Sequence, residues 1–137
     1  ISKLISDYNI EDEKNIRENL VKTALTYLGT QYRWGGKSPL GIDCSGLCSM
    51  SYMLNGILIY RDAEIKKGFP IKEIPFENIK KGDLIFFPGH VAMYLEDGNY
   101  IHSSTSNDIV KINNLNESAD NYNEYLGKAP KSFGSVF

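Results

Sequence analysis

The strongest constraint on the fold is a change of hydrophobic rhythm partway along the chain. Ile16, Leu20, Ala24 and Leu28 recur every four residues, with Val21 and Leu25 widening the stripe, which is the spacing of one helix face. Glu11, Asp12 and Glu13 make an acidic first turn that favours a helix start, and Gly29 is a fitting stop. A second helix is expected after Asp43, a good N-cap, with Leu47, Met50, Met53 and Leu54 as its apolar stripe and Asn55-Gly56 at its end. The run Ile57 to Tyr60 is short, apolar and β-prone. Past the turn Lys80-Lys81-Gly82-Asp83, short runs take over at Leu84–Phe87, His90–Leu95, Tyr100–Ser103 and Ile109–Ile112. Pro88-Gly89 and Glu96-Asp97-Gly98 separate the first three of them. Helices followed by antiparallel strands define an α+β domain. Tyr122 and Tyr125, in an Asn-rich tail, are expected to cover the sheet.

The length of 137 residues suits one hydrophobic core. Residues 1–12 read as a lead-in arm or linker remnant, and 13–137 as the domain; the chain opens with Ile1, as an excised piece would. Net charge is −2, and Lys and Arg are scattered, so nothing favours nucleic acid or an anionic membrane as partner. No apolar run approaches the ~18–20 residues that span a bilayer, so no membrane insertion is expected. Two cysteines, Cys44 and Cys48, are too few for a disulfide framework.

Each cysteine therefore needs its own account. Asp43-Cys44-Ser45-Gly46 places a thiol at a helix start, where unpaired N–H groups stabilise a thiolate and lower its pKa toward neutrality. The same groups can hold an oxyanion, and Gly46 lets a substrate approach. A buried, inert cysteine is the plainer alternative for Cys44, and core packing is the expectation for Cys48. The two histidines, His90 and His102, fall in one hairpin. A three-residue loop at Glu96-Asp97-Gly98 pairs Tyr94 with Tyr100 and sets both imidazoles on one face as diagonal neighbours, roughly 7–8 Å apart at the backbone. A two-residue loop would put them on opposite faces. In the first register, His90 can take the thiol proton while His102 fixes its orientation and tautomer. The alternatives are satisfied or surface histidines, or a zinc site from Cys44, Cys48, His90 and His102, for which the cysteine spacing is awkward. No metal or cofactor is expected. Tyr32 and Trp34, in a glycine-rich stretch, either plug one end of the core or serve a site.

Five stretches together resemble the NlpC-type cell-wall cysteine peptidases: Tyr32-Arg33-Trp34-Gly35-Gly36, Asp43-Cys44-Ser45-Gly46-Leu47, Gly82-Asp83-Leu84-Ile85-Phe86-Phe87, Gly89-His90-Val91-Ala92-Met93-Tyr94 and Ile101-His102-Ser103. They occur in the family's order across roughly residues 16 to 112. The resemblance implies a papain-like fold with the nucleophile helix packed on an antiparallel sheet. It implies cleavage of peptidoglycan stem peptides between γ-D-glutamate and the diamino acid, with an amidase or acyltransferase on the same scaffold as the alternative. Cys44, His90 and His102 fall on the family's catalytic positions. Tyr32 matches a tyrosine beside the nucleophile that helps hold the oxyanion, and Trp34, Asp43 and Ser45 match positions lining the substrate groove.

Arg61-Asp62 resembles a pair in the γ-D-glutamyl-L-diamino acid endopeptidase subgroup, where the aspartate binds the free ammonium of an N-terminal L-alanine. That subgroup often has serine next; here Ala63 follows, so one hydroxyl contact is missing. Family members often carry bacterial Src-homology-like modules that wall off one end of the groove; none fits in this chain, so either it is a piece of a longer protein with additional wall-binding domains or the groove is closed differently. Wall remodelling implies a secreted or wall-associated location, and recycling of released muropeptides a cytoplasmic one. A non-catalytic wall-binding module is the remaining reading, against which the intact Cys44, His90 and His102 argue.

Overall fold

The computed structural model describes residues 10–38, 40–65, 68–104 and 109–137. Helix α1 (Ile10–Leu25) leads through turns to a two-stranded ribbon, β1 (Lys37–Ser38) and β2 (Gly41–Ile42), which feeds directly into α2 (Cys44–Met53). A six-stranded antiparallel sheet follows, built from β3 (Lys72–Ile74), β4 (Leu84–Phe87), β5 (His90–Tyr94), β6 (Asn99–Ser103), β7 (Val110–Asn114) and β8 (Ser132–Ser135). Its order is β3-β8-β4-β5-β6-β7, and short helix α3 (Glu124–Lys128) precedes the last strand. This is the expected α+β arrangement, with α2 lying on β5 and β6 and against α1.

The pleat sends alternate side chains to opposite faces, and here both faces are covered. Leu84, Phe86, Val91, Met93, Ile101 and Val110 pack with Leu20, Ala24, Leu47, Cys48 and Tyr52 of the two long helices. Ile85, Phe87, Ala92 and Tyr100 pack with Leu126 on the other side. Burial on both faces explains why β4 is an unbroken apolar run.

One polar cluster ties the helices to the start of β4. Arg17 on α1 donates from Nη1 to Asp83 Oδ1 at 2.7 Å and to the Lys81 carbonyl at 3.0 Å, while its Nε meets Glu13 at 2.8 Å. Asp83 is fully buried and also accepts the Lys80 N–H at 3.0 Å. The Tyr52 hydroxyl of α2 donates to the Gly82 carbonyl. Gly82 itself has φ +88°, which a side chain disfavours. The Gly82-Asp83 stretch thus clamps the β4–β5 hairpin to both helices.

Several expectations need correction. Helix α1 begins at Ile10, one residue ahead of the acidic turn expected to start it; residues 1–9 of the expected lead-in arm lie outside the described residues. The helix stops at Leu25, and Leu28 is exposed, its place in the core taken by Tyr27. On α2, Met53 and Leu54 face solvent, while Ser51 and Tyr52 go inside because each finds an acceptor, Ser51 on the Leu47 carbonyl at 2.7 Å. Tyr125 is 84% exposed instead of covering the sheet. Asn123 caps α3 by accepting the Leu126 N–H at 3.0 Å, and the resulting turn places Leu126 inward. Ile57 and Ile59 are buried and Leu58 exposed, but the segment pairs with no strand of the sheet.

Candidate active site

Cys44 is the first residue of α2, and its surroundings are built by Asp43. The cap residue is extended (φ −96°, ψ −179°), and its Oδ1 accepts the Gly46 N–H at 2.6 Å. Its Oδ2 accepts the Gly35 N–H at 2.9 Å, fixing the Tyr32–Gly36 loop beside the helix start. Arg61 pairs with the same carboxylate, Nη2 lying 3.1 Å from Oδ1, and donates from Nη1 to the Ser45 hydroxyl. Asp43 and Ser45 are therefore engaged within the protein and buried. A side chain on Gly46 would overlap the Gly36 carbonyl oxygen and the Asp43 carboxylate. Gly46 is thus required for packing against the neighbouring loop, which corrects the expectation that it makes room for substrate.

The Cys44 side chain is half-buried, and backbone N–H groups of Val91, Ser45 and Cys44 itself favour its thiolate. Burial nevertheless pushes the thiol pKa up, with the Asp43 charge adding to it, and the N–H donors oppose this only in part. The expected drop toward neutrality is overturned: at this helix start the cost of desolvating a thiolate exceeds what the donors return. Cys48 is buried and its thiol is pushed up further by the same cause, as a core cysteine should be.

The hairpin takes the three-residue register. Tyr94 pairs with Tyr100 and Met93 with Ile101, and Leu95 N–H bonds the Asn99 carbonyl at 2.8 Å. Asp97 and Gly98 take the left-handed conformation at φ 55° and 83°. The two imidazoles consequently meet: His90 Nε2 lies 2.9 Å from His102 Nδ1. His102 is buried beneath the Tyr100 ring, and its Nε2 lies 2.7 Å from Asn113 Oδ1. Burial and the neighbouring His102 lower the His90 pKa to about 3, and burial lowers that of His102 as well. Both shifts favour the neutral rings. Helix α2, which Cys44 opens, packs on β5 and β6, the strands that carry His90 and His102.

Tyr32 forms a bridge with Ile42, just before the helix. Its phenol pKa is raised by burial first and then by the Cys44 and Asp43 charges. Trp34 is 87% exposed, so it does not plug the core. Asp62 is exposed and borders a narrow cavity with Ser45, Tyr60, Glu64, Phe69 and Val91, on the side of α2 where Arg61 is anchored. Asn113 was not among the residues singled out from the sequence. It sits on β7 opposite Tyr100, on the face that also carries His102, and only the strand pairing makes that evident.

Residues 29–126 match a family model described as the NlpC/P60 family. Over 133 residues the chain is 54% identical to a dipeptidyl-peptidase 6 from Lysinibacillus sphaericus, covering 97% of this chain and 49% of that protein. It is 39% identical over 109 residues to a gamma-D-glutamyl-L-lysine dipeptidyl-peptidase from Bacillus cereus, covering 72% of this chain and 32% of that protein. The crystal structure of an NlpC/P60 family protein from Bacillus cereus superposes with a TM-score of 0.70 at 35% identity, covering 85% of this chain and 39% of that one. The chain thus spans about half, or less, of the length of these relatives.

Proposed function

From the premise that this chain belongs to the NlpC/P60 family, we propose that it is the peptidase domain of a cysteine endopeptidase that cuts peptidoglycan stem peptides. The single observation that carries the reading is the His90–His102 contact at 2.9 Å, on strands that pack against the helix opened by Cys44. In the proposed reaction, the Cys44 sulfur attacks the scissile carbonyl carbon as its proton passes to His90. Ionising either group alone is costly in this setting, but the transfer leaves opposite charges side by side, so each offsets the burial of the other. The Cys44 N–H and the Tyr32 hydroxyl are assigned to receive the oxyanion. His90 then gives the proton to the departing amine, and water releases the acyl group by the reverse sequence.

Names borne by the relatives, gamma-D-glutamyl-L-lysine dipeptidyl-peptidase among them, favour the bond between γ-D-glutamate and the diamino acid. Asp62, on the cavity beside Ser45, is assigned to the free ammonium of an N-terminal L-alanine. The role fits a carboxylate at a groove wall, where a cation is favoured and a capped amide is not. Trp34, exposed on the loop that Asp43 holds, is assigned to the lining of the substrate groove.

The test is hydrolysis of L-Ala-γ-D-Glu-diamino acid peptides. Cys44→Ala abolishes turnover while the circular dichroism spectrum stays unchanged; retained turnover rules out the mechanism. N-acetylating the substrate lowers the rate by orders of magnitude in the wild type. Equal rates on free and acetylated peptide would remove Asp62 from the assignment.

A further inference from the structure

Taking His90 as the base proposed above, we infer that Asn113 is a positioning residue that fixes the tautomers of both imidazoles and so selects Nδ1 of His90 as the proton acceptor. The argument runs inward from a backbone carbonyl. Asn113 Nδ2 lies 2.8 Å from the carbonyl oxygen of Asn121. A carbonyl only accepts, so the amide must present its NH2 group there and its oxygen to His102. That oxygen, 2.7 Å from His102 Nε2, also only accepts, so His102 carries its proton on Nε2. A neutral imidazole has one N–H, which leaves His102 Nδ1 bare. The 2.9 Å contact with His90 Nε2 then requires the proton to sit on His90 Nε2. His90, also neutral, is left with an unprotonated Nδ1.

The surroundings hold this order in place. The Asn121 carbonyl also accepts the Asn114 N–H at 3.0 Å, and Asn114 Nδ2 reaches Asn99 Oδ1 at 2.9 Å, so the end of β7 is tied to β6 by side chains as well as by the ladder. The Tyr100 ring, 5.0 Å from that of His102, fixes its plane. Charged groups nearby are Lys111, across β7 from His102, and Lys131, over the Phe87 ring that packs on His90. Both are cations, which disfavour a protonated pair. An amide at 113 orients the rings without adding the charge that would protonate them, and this matches a base kept neutral at rest.

The test is 15N-edited NMR on histidine-labelled protein, read beside kinetics on the tripeptide substrate. In the wild type near neutral pH both rings show the Nε2–H pattern. Asn113→Leu removes the acceptor, the His102 proton loses its preference for Nε2, and kcat falls about 10²–10⁴-fold with little change in KM, the signature of a misplaced proton. Asn113→Asp keeps an acceptor, so it retains the tautomers and most of kcat. Its carboxylate stabilises the protonated pair, so the acid limb of kcat/KM moves to higher pH. A purely structural role would give equal losses in both variants and no shift of the limb. A wild-type proton on His90 Nδ1 overturns the inference whatever the activity, as does an Asn113→Leu protein with wild-type kcat. Hydrolysis that survives Cys44→Ala, with the same wild-type tautomers, would instead overturn the assignment of His90 as base while leaving the relay standing.

Discussion

Replacing Arg17 by Met tests whether the clamp at Gly82-Asp83 holds the hairpin that carries His90. Met preserves most of the arginine stem and removes the guanidinium. Asp83 is fully buried, with Arg17 Nη1 at 2.7 Å and the Lys80 N–H at 3.0 Å. At 2.7 Å and an effective dielectric near 20, the gross attraction is about 6 kcal/mol. Most of it is offset by desolvation, but cutting the pair leaves an uncompensated buried charge, which costs about 3–5 kcal/mol. The Lys81 carbonyl loses a donor as well. For a domain of this size the midpoint of thermal unfolding should fall by about 10–20 °C. Adding Asp83→Asn to Arg17→Met removes the orphaned charge while keeping an oxygen for the Lys80 N–H. The double variant should therefore be more stable than the Arg17→Met single by about 1–3 kcal/mol. Urea unfolding followed by circular dichroism is the assay, since the one tryptophan, Trp34, is already in solvent and reports little. A single variant costing under about 1 kcal/mol, or a double variant destabilised by the sum of the two singles, would refute the reasoning.

Other perturbations probe the nucleophile's setting. Gly46→Ala drives a methyl group into the Gly36 carbonyl and the cap, so it should cost about 1–3 kcal/mol and lower kcat; unchanged stability would show that the loop yields freely. Asp43→Ala loses the cap and the anchor of Arg61, and chemical denaturation should register a loss of about 1–2 kcal/mol. An unfolded histidine titrates near 6.5 while folded His90 titrates near 3, so the unfolded chain binds the extra proton between these values. Stability from this group is therefore complete above about pH 6.5 and falls as pH drops toward 3, by at most about 1.4 kcal/mol per unit. His90→Gln should flatten the stability curve between pH 6.5 and 5, and an unchanged slope would contradict the depressed pKa.

Local signals carried most of the site. The Glu96-Asp97-Gly98 turn fixed the hairpin register, and with it the meeting of His90 and His102, because left-handed backbone at consecutive positions narrows the choice of loop. Asp43 read as an N-cap for the same reason, its partner being three residues away. What stayed hidden depended on distant partners. Strands β3 and β8 are short and contain little apolar sequence, and the close packing of Ile71 and Phe86 on Gly134 is visible only once the strands are paired. Asn113 looked like one more residue of an Asn-rich tail, since nothing nearby in sequence shows that it faces His102. The thiol pKa was misjudged because a helix start is visible in the sequence and the burial of that start is not.

Strand β8 pairs with both β3 and β4, although some 50 residues separate its sequence from theirs. During synthesis, then, the all-apolar β4 has one side of its backbone unmatched until Ser132–Ser135 have emerged from the ribosome. Such a bare margin invites pairing with other chains. Truncation just ahead of Ser132 would therefore send the nascent chain toward insoluble assemblies, with the residues proposed as nucleophile, base and oxyanion donors all encoded upstream and none of them usable.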